Sequence, residues 1–151
     1  MILAFLESHF MTVMTASILV VEDDPMWQAR HRRKLEAIVG QGNVTLADSY
    51  DAVLSHLSSK EFDAYVIDGE FPRTIGQKPE PLGIDLAKYI DGLQPGPKII
   101  RLVSGDTAIL DQAKSQEIIT YTKGLADPKK GYRDLSELPE DLKLMLGLHM
   151  N

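Results

Sequence analysis

The sequence predicts an α/β fold: a doubly wound, five-stranded parallel sheet, (βα)5, with helices on both faces. Short β-branched apolar runs alternate with segments of helical periodicity along the chain. Three of those runs, ILVVEDDP at 18–25, AYVIDGEFP at 64–72 and KIIRLVSGD at 98–106, pass straight from apolar into polar residues. A fourth, ITYTKG at 119–124, is shorter and more polar and reaches Lys123. The length of 151 residues and 44% hydrophobic content suit one domain with a substantial core.

Residues 18–22 read as a buried strand. Asp24-Pro25 then reads as a helix start, with Asp at the N-cap and Pro at the first helical position. That helix is expected to reach Val39, with Trp27, Leu35, Ile38 and Val39 on its core side, and to end at Gly40 and Gly42. NVTLA at 43–47 is a short strand. Asp48 or Ser49 can cap a second helix, whose Ala52, Val53, Leu54 and Leu57 supply apolar positions. The third strand is 62–68, followed by a long loop from Gly69 to Leu82 that contains Pro72, Gly76, Pro79 and Pro81. Helix three is 83–91, with Ile84, Leu86, Ala87 and Ile90 inward, and strand four is 98–103. A short helix at about 106–115, a strand at about 117–122 and a last helix at roughly 134–147 complete the chain, with Pro139 starting or kinking the last.

Composition excludes several functions. The net charge of -6 argues against a nucleic-acid binder by charge. The absence of cysteine excludes disulfides, thiolate metal sites and a Cys nucleophile, and fits a cytoplasmic protein. No apolar run approaches the roughly 18–20 residues of a membrane span. Residues 1–16 are read as an N-terminal extension; no Lys or Arg precedes Arg30, so the basic start of a signal peptide is missing.

If the four runs are parallel strands, their C-terminal ends gather Glu22, Asp23, Asp68, Ser104 and Lys123 along one edge, where open α/β sheets place their sites. Crowded carboxylates repel unless a cation or proton neutralises them, and hard oxygen ligands favour Mg²⁺. A hydroxyl at Ser104 and an amine at Lys123 suit phosphoryl oxygens. Asp24 reads as the helix cap and not as a ligand.

In these motifs the chain resembles the receiver domain of two-component response regulators. ILVVEDDP looks like that family's first strand with its acidic pair, and VTLADSYDAVLSHL is similar to its second strand and helix. AYVIDGEFP looks like the phosphoacceptor strand, with the usual proline at Pro72, and Gly83-Ile84-Asp85-Leu86 resembles the opening of helix three. Asp23 and Asp68 are 45 residues apart (68 minus 23), and the likeness covers about 17–124 within a receiver domain of 17–151. The resemblance implies a flavodoxin-like sheet and a phosphoprotein switch in two-component or phosphorelay signal transduction, not an enzyme. It implies that Asp68 accepts a phosphoryl group as an aspartyl phosphate, that Asp23 and Asp68 ligate Mg²⁺, that Glu22 acts mainly through bound water, and that the backbone carbonyl of Glu70 is a further ligand. Ser104 becomes the switch hydroxyl and Lys123 the contact to the phosphoryl oxygen.

The same resemblance implies a histidine kinase or histidine phosphotransfer protein as phosphodonor, and an unidentified downstream protein as the reader. Direct nucleic-acid binding and membrane insertion are not expected. After Lys123 only 28 residues remain (151 minus 123), so a stand-alone receiver is expected.

Some positions depart from the family pattern. Thr120 stands where the switch aromatic usually lies, and Gly124 follows Lys123 where proline is usual. The 69–82 loop is longer than usual, and the stretch from Ser104 to Lys123 is shorter. These departures motivate an alternative, a switch-impaired interaction module. A Mg²⁺-dependent hydrolase of the haloacid dehalogenase type ranks last, because it wants Asp-x-Asp at its first strand. Glu70 and Asp106, two residues beyond Asp68 and Ser104, are candidates to flank the water that attacks an acyl phosphate. The basic run Arg30–Lys34 reads as a solvated helix face, or as a patch that steers an acidic phosphodonor.

Overall fold

The structure is a computed structural model, described for residues 16–93, 96–124 and 129–150, with side chains to 147. A six-stranded parallel sheet runs in the order β2-β1-β3-β4-β5-β6. Its strands are β1 Ile18–Val21, β2 Val44–Ala47, β3 Ala64–Asp68, β4 Ile99–Ser104, β5 Ile119–Thr122 and β6 Arg133–Asp134. The helices are α1 Pro25–Val39, α2 Tyr50–Ser59, α3 Gly83–Leu93, α4 Thr107–Ser115 and α5 Leu138–Met150. The five expected strands form the flavodoxin-like core, and β6 adds a two-residue edge beside β5.

Both faces of the central strands are buried, which explains their continuous apolar runs. Val20, Val66, Val103 and Tyr121 face α1 and α5, packing with Leu35, Ile38, Leu142 and Leu146. Leu19, Val21 and Ile67 face the other way, onto Val53 of α2 and Leu86 and Ile90 of α3. Leu102 packs with Ile109 and Leu110 of α4 and with Tyr132. Ala16 is buried in the α1/α5 layer, while residues 1–15 of the expected extension lie outside the described residues.

Helix starts follow the sequence signals. Asp24 caps α1, its carboxylate accepting from Met26 N at 2.8 Å and Trp27 N at 3.4 Å, with Pro25 in the first turn. Ser49, not Asp48, caps α2 through Ala52 N. Asp106 caps α4, accepting from Ala108 N and Ile109 N. A 3₁₀ turn, Leu135–Glu137, precedes α5, so Pro139 falls in that helix's first turn.

Two expectations about cores change. Leu54 of α2 is exposed and Val53 is that helix's buried residue. On α1 the buried stripe is His31, Leu35, Ile38 and Val39, while Trp27 is half-buried. His31 therefore leaves the basic run, of which Arg30, Arg32, Arg33 and Lys34 remain exposed.

The 69–82 segment is ordered by backbone bonds. Phe71 and Glu80 exchange both N–H to O bonds in an isolated antiparallel bridge. The Pro72 and Arg73 carbonyls accept from Tyr50 N and Asp51 N, the first N–H groups of α2, which lack partners within their own helix.

Candidate functional site

The C-terminal ends of β1, β3, β4 and β5 converge on one acidic cluster. β1 pairs in register with β3, Val21 opposite Ile67, so Glu22 and Asp23 leave the sheet beside Asp68. One carboxylate oxygen from each of Glu22, Asp23 and Asp68 lies within 4.8 Å of the others. Lys123 reaches in from the end of β5, its Nζ 2.5 Å from Glu22 Oε1 and 3.3 Å from Asp68 Oδ2.

Glu22 is buried and fully engaged. Its Oε1 accepts from Lys123, its Oε2 accepts from Asp24 N at 3.3 Å, and its backbone carbonyl accepts from Gln28 Nε2 at 2.7 Å. His31 lies beneath it, Nε2 at 4.0 Å from Glu22 Oε1. Burial lowers the His31 imidazole to about 4, against the pull of Glu22, so it is neutral at pH 7 and the contact is not an ion pair.

Asp68 is pushed up to about 8, first by burial and then by Glu22, with Lys123 opposing. Asp23 is raised as well, burial being the largest cause. One ammonium therefore answers a cluster of three acids. Hard oxygen donors held close, with protonation standing in for missing positive charge, fit a divalent cation of the Mg²⁺ type.

Glycines let the chain pack tightly around Asp68. A Cβ at Gly69 would lie 2.8 Å from Ile109 Cγ2 and 3.0 Å from Ser104 Oγ, and one at Gly83 would collide with the Asp68 carbonyl. Gly69 N donates to Val103 O, and Gly83 N donates to Gly69 O, which clamps the turn after the strand. Ser104 ends β4 and is buried; its Oγ accepts from Asp106 N at 3.0 Å. Glu70 follows, half-buried.

All five strand-end residues expected at this edge thus lie there. Sequence reasoning missed two neighbours. Trp27 lies beside the site, with Lys123 Nζ 4.7 Å and Arg30 Cζ 5.1 Å from its ring centroid. His31 is the other. The signal was the spacing 27, 31, 35, one face of α1, which the flanking charges obscured. Asp106, expected beside a water path, spends its carboxylate on capping α4. Thr120 is buried, and Tyr121 beside it faces the opposite layer, where its hydroxyl donates to Asp141 Oδ2 at 2.5 Å.

No protein-family model and no curated protein matches the chain. Solved structures do match its fold. The response regulator receiver domain (CheY-like) from Methylobacillus flagellatus superposes with TM-score 0.62 at 20% identity, covering 86% of this chain and 98% of that one. The signal receiver domain of an HD domain-containing protein from Pseudomonas fluorescens Pf-5 gives 0.65 at 21%, covering 91% and 90%. A response regulator protein from Burkholderia pseudomallei, solved with a phosphorylated aspartic acid, calcium ion and citrate, gives 0.54 at 20%, covering 89% and 74%. The chain has the fold of a CheY-like receiver domain.

Proposed function

We propose that this chain is a phosphoacceptor receiver in two-component or phosphorelay signalling, with Asp68 as the acceptor. One observation carries the reading: Asp68 sits half-buried at a strand end, within reach of two further carboxylates and of the Lys123 ammonium. A carboxylate oxygen of Asp68 attacks the phosphorus of a phosphohistidine. The P–N bond breaks, its electron pair stays on the imidazole, which takes a proton from solvent, and an aspartyl phosphate forms. Lys123 holds a phosphoryl oxygen, and the Ser104 hydroxyl turns from Asp106 N towards another.

Asp23, Asp68 and the Glu70 carbonyl would hold Mg²⁺, with Glu22 acting through water because both its carboxylate oxygens are engaged. Bound there, the metal supplies charge neutralisation for the incoming phosphoryl oxygens. The donor is a histidine kinase or histidine phosphotransfer protein, and a further protein reads the modified state by population shift. Among the described residues no helix is long and apolar enough to cross a membrane, and the donor class suggests the cytoplasm.

A second reading, a switch-impaired interaction module, is favoured by the small, buried Thr120 and by Gly124 after the lysine. Intact mass after incubation with Mg²⁺ and acetyl phosphate or phosphoramidate separates the two. A phosphoryl mass gain in the wild type that disappears in Asp68→Asn supports the receiver. No gain, in protein that still binds Mg²⁺ by titration, rejects it in favour of the module.

A further inference from the structure

The acidic edge holds one buried polar group that phosphoryl chemistry does not use. His31 of α1 is only 6% exposed, and its imidazole makes no hydrogen bond. Nε2 stands 4.0 Å from Glu22 Oε1, which is too long for one. An imidazole carries a donor and an acceptor, and leaving both unused in the interior costs stability. An apolar side chain would suit the place better, since Leu35 and Ile38 continue the same buried stripe.

The ring is buried but not sealed. Among the described residues, Arg101 Nε and Gln116 Oε1 are the partnerless side-chain atoms closed to water, and the His31 nitrogens are not among them. A cleft of about 200 Å³ between α1 and the 3₁₀ turn before α5 has Trp27, His31 and Lys123 in its wall. An ion or water therefore has a way in.

Glu22 Oε1 is the atom that joins His31 to the acids. Lys123 Nζ lies 2.5 Å from it and 3.3 Å from Asp68 Oδ2, so a cation already touches both carboxylates from one point. Zn²⁺ bonds imidazole nitrogen and carboxylate oxygen at about 2.0–2.2 Å. At the tetrahedral angle two such bonds hold their ligand atoms about 3.3–3.5 Å apart, so bridging Glu22 Oε1 and His31 Nε2 takes a shift of about 0.5–0.7 Å. Mg²⁺ prefers oxygen and keeps its waters, whereas imidazole suits Zn²⁺ and its neighbours. The charges allow it: three carboxylates, one ammonium and one dication sum to zero. Arg30 and Lys34, the cations beside His31 on α1, are exposed and screened by water.

We propose that the acidic edge has a second cation position, for a metal ion of the Zn²⁺ type, built from Glu22, His31 Nε2 and Asp68. The metal takes over the carboxylates that Lys123 now holds. Three protein ligands leave a coordination position for water. Asp68 is common to this position and to the Mg²⁺ position, so the two ions exclude one another. Zn²⁺ then withholds the carboxylate that a phosphoryl group needs. That consequence rests on the phosphoacceptor reading; the binding does not.

The test is a Zn²⁺ titration of the ¹⁵N-labelled full chain, followed at the histidine ring nitrogens by long-range ¹H–¹⁵N NMR with no phosphodonor present. One equivalent should saturate and move Nε2 of His31, while saturating Mg²⁺ leaves that nitrogen in place. By calorimetry, His31→Leu should bind Zn²⁺ at least about tenfold more weakly, with its Mg²⁺ affinity unchanged. Its Tm should not fall, since leucine extends the apolar stripe, and this separates lost binding from lost fold. The wild-type nitrogen shift decides the matter even if that variant fails to fold. The proposal is overturned if Zn²⁺ moves only His9, His56 or His149, if Mg²⁺ moves His31 equally, or if folded His31→Leu binds Zn²⁺ like the wild type. Failure of acetyl phosphate to modify Asp68 would strike the receiver reading alone and leave this site standing.

Discussion

The two ends of this sheet bury charge in opposite ways. At the C-terminal edge, Glu22, Asp23 and Asp68 crowd together and one ammonium, Lys123, reaches two of them. At the N-terminal edge, the Arg101 guanidinium lies buried with no carboxylate paired to it among the described residues. A single strand serves both ends, since β4 carries Arg101 near its start and Ser104 at its end. One end is short of positive charge and the other of negative. Neither shortage by itself stabilises the fold.

The sharpest way to break this contrast is to remove the cation at each end. Lys123→Met should destabilise the protein by about 3 kcal/mol, because it leaves buried carboxylates without their partner. Chemical denaturation measures this, and an unchanged midpoint would mean that the carboxylates already manage without the lysine.

Protons offer a second handle at the acidic end. The folded Asp68 carboxyl titrates near 8, above its ordinary range, because of burial and Glu22. The folded state therefore holds a proton that the unfolded chain releases from about pH 4 upward. Stability without divalent metal should be full below about pH 4 and fall as pH rises through about 8. Asp68→Asn should remove that fall and gain on the order of a few kcal/mol at pH 8. His31 has the reverse sign. Its depressed value near 4 makes stability decline as pH drops below about 6.5, and this limb should persist in the variant. Stability curves that fall equally with rising pH in the two proteins would remove Asp68 as the cause.

The mildest effect belongs to the other end. Arg101→Met should raise stability by about 1–2 kcal/mol, since an apolar side chain of similar length carries no unpaired charge. A loss instead would show that the guanidinium is already satisfied, and the contrast between the two edges would disappear.

The acidic edge was legible in the sequence because each member closes an apolar strand, and parallel strands bring such closures together. The caps at Asp24 and Ser49 were legible for a similar local reason: the side chain bonds to its own helix. The unpaired charge at Arg101 was not. Arg101 sits inside IIRLV and gives no sign of its isolation, which depends on what the surrounding elements omit to offer it. Glu117, whose φ is 64, hides its left-handed turn because only glycine or asparagine advertises one. β6 was missed because two residues are too few for periodicity, and its place is held by pairing with β5 and by Tyr132 among the α4 side chains. His31 was concealed by the arginines beside it, although its spacing from Trp27 and Leu35 marked the buried face.

Trp27 is the chain's one tryptophan, and its indole lies 4.7 Å from the Lys123 ammonium. Its emission therefore reports on a single place in the molecule. Anything that draws the lysine towards a new anion changes the electric field across that ring. The protein carries its own optical gauge of the acidic edge, one that needs no label.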